Sequence, residues 1–250
     1  MKFINVLNDE GIRYRSYADF FQLIELSGFE TVHQDACWRE MDGPVISYIN
    51  NGNAVAWAKE PRRCKLILWQ LERWLGTAEE YAPPFYDEVW ITDRWQASEL
   101  QRLGHMNVRY VPLGSHAGLG GEPSTKKYDL APMCYAYGQR LHKINVLAQK
   151  YKMAPTCWPP DRDRILSETR AGLCLHQWEN DPALEPLRAA VFAAWKMPMV
   201  CAYCRDYYPY DVYDLTSIDA ALRDERGTVQ RNYDLVTGPM SFKRNVEAAL

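Results

Sequence analysis

The sequence predicts an α/β protein of two parallel-sheet domains facing a cleft. Short apolar, β-branched runs alternate with helix-length amphipathic runs from end to end, which is the signature of βαβ units. The alternation is interrupted once, at Gly114-Ser-His-Ala-Gly-Leu-Gly-Gly-Glu-Pro-Ser-Thr-Lys-Lys127, where five residues are Gly or Pro. It then restarts, and 250 residues are enough for two cores. The reading divides the chain into residues 1–115, a linker at 116–128 and residues 129–250, with right-handed crossovers making each half a Rossmann-like layer sandwich.

In order, strands are expected at 2–7, 31–33, 45–49, 65–69, 88–92 and 108–112. A helix is expected from about 16 to 27, with Ser16 as its cap and Gly28 beyond its end, and another from 94 to 103, closed by Gly104. In the second half, strands are expected at 130–137, 154–157, 171–175 and 199–203. Helices are expected at 140–151, 161–169, 184–196, 217–223 and 240–249. Gly118-Leu-Gly120-Gly121 runs into Glu-Pro-Ser-Thr rather than a helix, which excludes a dinucleotide motif there.

Composition bounds the function. Hydrophobic content of 47% and charged content of 24% are ordinary for a globular protein, and a net charge of −3 supplies no global pull toward nucleic acid. No apolar run reaches the ~18 residues of a membrane span, and the first residues lack a signal-peptide pattern, so the expectation is a cytoplasmic protein with no membrane contact. Seven cysteines at irregular spacings suit reduced thiols, and the lone CxxC, Cys201–Cys204, lacks the second ligand pair of a zinc site. Asp161-Arg-Asp163 opens a helix, where Asp is a good cap, and no metal is assigned to it.

The densest polar stretch is His176-Gln-Trp-Glu-Asn-Asp181, between an apolar strand and an apolar helix with Leu187, Val191 and Trp195 on one face. Ligands of open α/β sheets bind beyond the carboxyl ends of strands, and a helix start there offers N–H groups to an anion. His176, Gln177 and Glu179 are therefore ligand-binding candidates, against the alternative of a hydrogen-bonded loop capped by Asp181.

Tyr86-Asp-Glu-Val-Trp-Ile-Thr-Asp-Arg-Trp, Leu103-Gly and Val108-Arg-Tyr-Val-Pro-Leu-Gly-Ser115 resemble the end of the first domain of group 1 glycosyltransferases with the GT-B fold. Residues 161–176, Glu185-Pro-Leu-Arg188 and Met197-Pro-Met-Val200 resemble their second domain, so the likeness covers roughly residues 86–205. It implies a nucleotide-sugar donor held mainly by the second domain, as a substrate with no cofactor. By the family pattern Glu185 and Arg188 match an acidic-x-x-Arg element near ribose and phosphates. Gly138, Arg140 and Lys143 match the Gly-Arg…Lys element on the diphosphate. A diphosphate also suits two cations on physical grounds. Ala190-Val191-Phe192 stands where the family has Phe-Glu-Ala, which leaves Glu179 or Glu185 for the ribose, and the short chain implies a trimmed first domain.

Transfer requires the acceptor hydroxyl to lose a proton. An inverting enzyme would use a first-domain base, with Asp9, Glu10, Asp35, Glu72 and Asp93 as candidates. A retaining one lets the leaving phosphate take the proton, and the resemblance leans that way. Gly11 and Arg13, after the first strand, and Arg62, Arg63 and Lys65, between Trp57 and Trp69, are candidate acceptor contacts. Cations with stacking rings suit an extruded base, so the preferred acceptor is a hydroxymethylated base of phage-type DNA. A small molecule or glycan is the alternative, and a non-catalytic nucleotide-sugar sensor is a reading of another class. Oligomeric state is left open.

Overall fold

The computed structural model describes residues 1–5, 18–33, 37–48, 59, 61–71, 76–176, 184–204 and 208–250. Two parallel sheets carry these residues. The first contains β1 (Lys2–Asn5), β2 (Glu30–His33), β3 (Val45–Ser47), β4 (Leu66–Gln70), β5 (Glu88–Ile91) and β6 (Val108–Tyr110), in the order β2-β1-β3-β4-β5-β6. The second contains β7 (Tyr128–Pro132), β8 (Thr169–Cys174), β9 (Met199–Cys201) and β10 (Tyr213–Asp214), in the order β10-β9-β8-β7. Parallel neighbours need crossovers, and helices supply them. The α-helices of the described residues are α1 (Ala18–Leu26), α2 (Ala78–Tyr81), α3 (Arg94–Arg102), α4 (Gly138–Leu147), α5 (Arg162–Ser167) and α6 (Pro186–Ala194), followed after the last strand by α7 (Ile218–Ala221), α8 (Thr228–Thr237) and α9 (Phe242–Ala249).

The strand order places the ligand ends. In the first sheet the winding reverses between β1 and β3. In the second, Met153 bridges Leu130 on the free edge of β7, in parallel sense. The order through that edge is thus Met153, β7, β8, β9, β10, and the reversal falls between β7 and β8. Open sheets bind ligands outside the carboxyl ends at this switch point.

Local chemistry explains the elements. All five residues of β4, Leu-Ile-Leu-Trp-Gln, are buried, as a central strand covered on both faces requires. Asp93 caps α3 by accepting the Gln96 N–H at 2.7 Å, and Thr77 with Glu80 forms a capping box at α2. The segment 154–157, expected as a strand, contributes ladder-like bonds from Ala154 and Cys157 but no strand. α2, β10 and α8 were not foreseen.

The halves are joined by a continuous core. α9 returns to the first sheet, where Phe242 stacks on Trp69 at 5.5 Å and lies within 6.1 Å of Phe3. Asn245 donates to the Pro112 carbonyl at 3.0 Å, and Ser115 donates to the Ala190 carbonyl at 2.8 Å. Arg162 of α5 pairs with Asp19 of α1, both buried.

Candidate active site

The chain leaves β7 through Met133 and Cys134 and turns into α4 at Gly138, whose φ of +53° is a conformation that costs a side-chain-bearing residue. No side chain caps the start of this helix. Arg140 follows in its first turn. It is only 6% exposed, and its Nε donates to the carbonyl of Leu175, just past β8, at 3.0 Å. A side chain rooted after one strand is thus fixed at the end of the next, over the β7/β8 switch point.

Arg188 reaches the same place from the first turn of α6, its side chain 11% exposed and 3.8 Å from the Glu185 carboxylate. Burial, and then the positive charge of Arg188, lower the affinity of the Arg140 guanidinium for its proton, while Cys134, Glu185 and Tyr137 oppose the shift. The charge of Arg188, partly balanced by Glu185, thus reaches Arg140. Lys143, three residues beyond Arg140, is half-buried.

His176 is buried, and its Nε2 lies 3.2 Å from Cys204 Sγ, which ties the chain leaving β8 to the chain leaving β9. Buried thiols floor this region. Burial pushes Cys134 up and Cys157 up to about 12, and Cys201 is raised well above its ordinary value by its hydrogen bond with Cys174 and by burial. Protonated thiols are poor nucleophiles, so these three act as small apolar packing.

A narrow cleft lies between the first sheet and the start of α6. Thr92–Arg94 and Leu113 border it on one side, and Pro186 and Tyr208–Tyr210 on the other. The Arg94 guanidinium carbon lies 4.7 Å from the Tyr208 ring centroid. Asp93 therefore sits on the cleft that the start of α6 also borders, while serving as a helix cap.

Gly138, Arg140, His176, Glu185 and Arg188 come together at the carboxyl ends of β7 and β8, with Lys143 in the same helix. Asp9, Glu10, Gly11, Arg13, Asp35, Trp57, Glu72, Gln177 and Glu179 lie outside the described residues.

Four expected acceptor contacts, Trp69, Arg62, Arg63 and Lys65, are not brought to the cleft, and Lys65 pairs with Glu88 at 2.6 Å. Trp69 is fully buried, its indole donating to the Val111 carbonyl at 3.3 Å. Arg62 donates to the Phe85 carbonyl and to Asp87, and Arg63 pairs with Glu40 at 3.5 Å. Both arginines precede β4 and so occupy the amino end of a parallel sheet, opposite its ligand end. The sequence reading missed Cys134, Tyr137, Tyr208 and Tyr210, whose signal was position just beyond a strand or beside the cleft.

Asp161 pairs with Arg164 at 3.1 Å and Asp163 with Arg162 at 2.6 Å. Among the described residues no three His, Cys, Asp or Glu side chains converge as metal ligands. Among them, too, no helix is long and apolar enough to cross a membrane.

No family model matches the sequence, and no curated protein matches it. Solved structures do match. AviGT4, a glycosyltransferase involved in avilamycin A biosynthesis, aligns over 99% of this chain and 95% of its own, with a TM-score of 0.59 and 12% identity. The lipopolysaccharide outer core galactosyltransferase WaaB aligns over 100% of both chains, at 0.53 and 9%. The DNA-modifying enzyme β-glucosyltransferase, solved with and without uridine diphosphoglucose, aligns over 100% of this chain and 98% of its own, at 0.53 and 13%. With its two doubly wound parallel sheets, the chain has the GT-B fold of these glycosyltransferases.

Proposed function

We propose that the chain is a glycosyltransferase that moves a sugar from a uridine-diphosphate donor to an acceptor hydroxyl. The observation that carries this reading is buried Arg140, fixed at the β7/β8 switch point, with part-buried Arg188 in electrostatic reach and an uncapped helix start beside it. The diphosphate lies against both guanidiniums, Lys143 adds a third cation, and the Gly138 turn lets backbone approach the phosphates. Glu185 accepts from the ribose hydroxyls, and His176 lines the same end.

Transfer breaks the bond between the anomeric carbon and the diphosphate oxygen, and the electron pair stays on the phosphate. The two arginines stabilise that developing charge in a low-dielectric site, where preorganised cations are most effective. The acceptor oxygen bonds to the anomeric carbon on the face that the phosphate leaves, its proton passes to that phosphate, and configuration is retained without a protein base. In the inverting alternative Asp93, which borders the cleft, takes that proton. Arg140 and Arg188 supply the positive charge that offsets the leaving diphosphate.

For the acceptor, a hydroxymethylated DNA base is the reading supported by the likeness to a DNA-modifying glucosyltransferase. The likenesses to enzymes of avilamycin and lipopolysaccharide assembly support a small-molecule or glycan acceptor. A non-catalytic sensor is the second reading. It is favoured by the fully buried Ala190-Val191-Phe192, which offers no carboxylate where the family pattern has one. The test is release of uridine diphosphate from a panel of its sugars, with and without hydroxymethylated DNA. A transferase releases it slowly alone and faster with its acceptor. A protein that binds the donor and never turns it over is the sensor.

A further inference from the structure

At the amino end of the second sheet, away from Arg140 and Arg188, lies a cavity of about 560 Å³ that the proposed reaction does not use. That volume is in the range of small-molecule sites and exceeds what a bare phosphate ion needs. The linker forms one wall, and the end of α6 with Tyr233 of α8 forms another. Gly120 and Gly121 let the linker press against α6. An added Cβ at Gly120 would run into the Ala194 carbonyl, and one at Gly121 would meet the Trp195 ring at 2.5 Å. The glycines that make no dinucleotide motif thus shape a pocket of another kind.

Three cations line it. Lys126 comes from the linker, Arg170 from the start of β8 and Lys196 from the turn before β9. Arg170 is shared with Asp129 at 3.4 Å and with the Leu222 carbonyl at 3.1 Å. Lys126 donates to the Ser167 carbonyl at 3.0 Å, and the Lys196 ammonium lies 4.4 Å from the Tyr233 ring centroid. Among the described residues neither lysine pairs with a carboxylate, and partial burial lowers the Lys126 ammonium from its ordinary value. Glu122 is the one carboxylate among the described lining residues.

Lys196 holds its place at a backbone cost. Its φ of +51° is left-handed, just past the end of α6, where glycine is the usual residue. Strain of this kind gathers at functional sites, and here it sets an ammonium on the cavity wall. The rest of the lining is mostly apolar, with Trp195, Met197, Pro123 and the Tyr233 ring.

We propose that this cavity is a second binding site, for a phosphate monoester of a ring-bearing small molecule. The phosphate lies among Lys126, Arg170 and Lys196, whose charge-assisted bonds suit a dianion. The ring lies against Trp195, Met197 and Tyr233, where burial of apolar surface adds to the affinity. Arg188 is in the first turn of α6 and Lys196 is past its last, so the site is separate from the donor site and does not depend on it.

The test is calorimetry on the full chain with phenyl phosphate, inorganic phosphate and phenol. The unaltered protein binds phenyl phosphate at least about tenfold more tightly than either of the other two. Lys196→Gly suits the left-handed backbone, so this variant melts no earlier than the unaltered protein, yet binds phenyl phosphate about tenfold more weakly. Lys126→Met, at an exposed linker position, weakens it to a similar degree. Arg140→Met, which removes a donor-site cation, leaves it within about twofold. The site is overturned if the unaltered protein does not bind phenyl phosphate, binds inorganic phosphate as tightly, or binds phenyl phosphate normally in both lysine variants. Loss of binding in Arg140→Met alone would place the probe at the donor site and overturn it too.

Discussion

The Nε of Arg140 donates to the carbonyl of Leu175 at 3.0 Å, and so couples the helix after β7 to the end of β8. That bond holds a cation in place before any ligand arrives. The side chain is buried beside Arg188, so its charge is costly in the empty protein. Arg140→Met should leave the melting temperature unchanged or raise it by the equivalent of about 1 kcal/mol, as replacing a desolvated charge often does. The same variant should bind uridine diphosphate about 10- to 100-fold more weakly, the worth of a charge-assisted bond. Calorimetry and a thermal melt check both arms. A protein that melts early and binds normally would make Arg140 a structural residue.

The buried pair of Asp19 and Arg162 joins α1 to α5 and hence the two halves. Removing Asp19 leaves the buried Arg162 with exposed Asp163 as its remaining ion-pair partner. Asp19→Ala should cost about 3–5 kcal/mol in urea unfolding, whereas an Asp19→Leu, Arg162→Met double variant should recover most of it. Equal losses in single and double variants would mean that packing, not charge, sets the cost.

Glu88 opens β5 among three donors: Lys65 at 2.6 Å, the Trp90 indole at 2.9 Å and Arg109 at 3.4 Å. Burial pushes its carboxyl up, but these bonds and charges outweigh burial and hold it below its ordinary 4.5. A lowered folded value means that its stabilisation is complete above the unfolded value and is lost as pH falls through the folded one. Compared with Glu88→Gln, the unaltered protein should be more stable at pH 7, and the gap should close below about pH 4.5. Urea titrations across pH 3–7 measure it, and a constant gap would refute the assignment.

At Gly172, in the middle of β8, an added Cβ would meet the Phe192 ring of α6 at 2.4 Å. The helix that carries Arg188 rests on this contact. Gly172→Ala should destabilise by about 1–3 kcal/mol, and Phe192→Leu in the same chain should relieve part of that. Strict additivity of the two changes would argue against the contact.

Much of this molecule was legible in its residues. The strands at 45–47, 66–70 and 88–91 follow from apolar runs rich in β-branched and aromatic residues, and the place of His176 follows from the rule that ligands meet strand ends. Other features needed the fold. α8 reads Thr-Val-Gln-Arg-Asn-Tyr-Asp-Leu-Val-Thr, a poor helical composition. It forms because the Asp224 carboxylate accepts the N–H groups of Thr228 and Val229, and because Val236 is buried in the core. Trp69 looked available for stacking because periodicity cannot say that both faces of a central strand are covered. Arg62 and Arg63 were misplaced for a different reason. They precede their strand, and that alone assigns them to the end of the sheet away from the cleft. α9 packs on the first sheet because Phe242 completes its aromatic core, a long-range contact no local pattern encodes.

The most direct measurement is a crystal structure of the full chain with a uridine-diphosphate sugar. The account predicts the two phosphates between Arg140 and Arg188 at the carboxyl ends of β7 and β8, with the sugar toward the cleft that Asp93 borders. Electron density for the nucleotide at any other place, with those two arginines untouched, would contradict it.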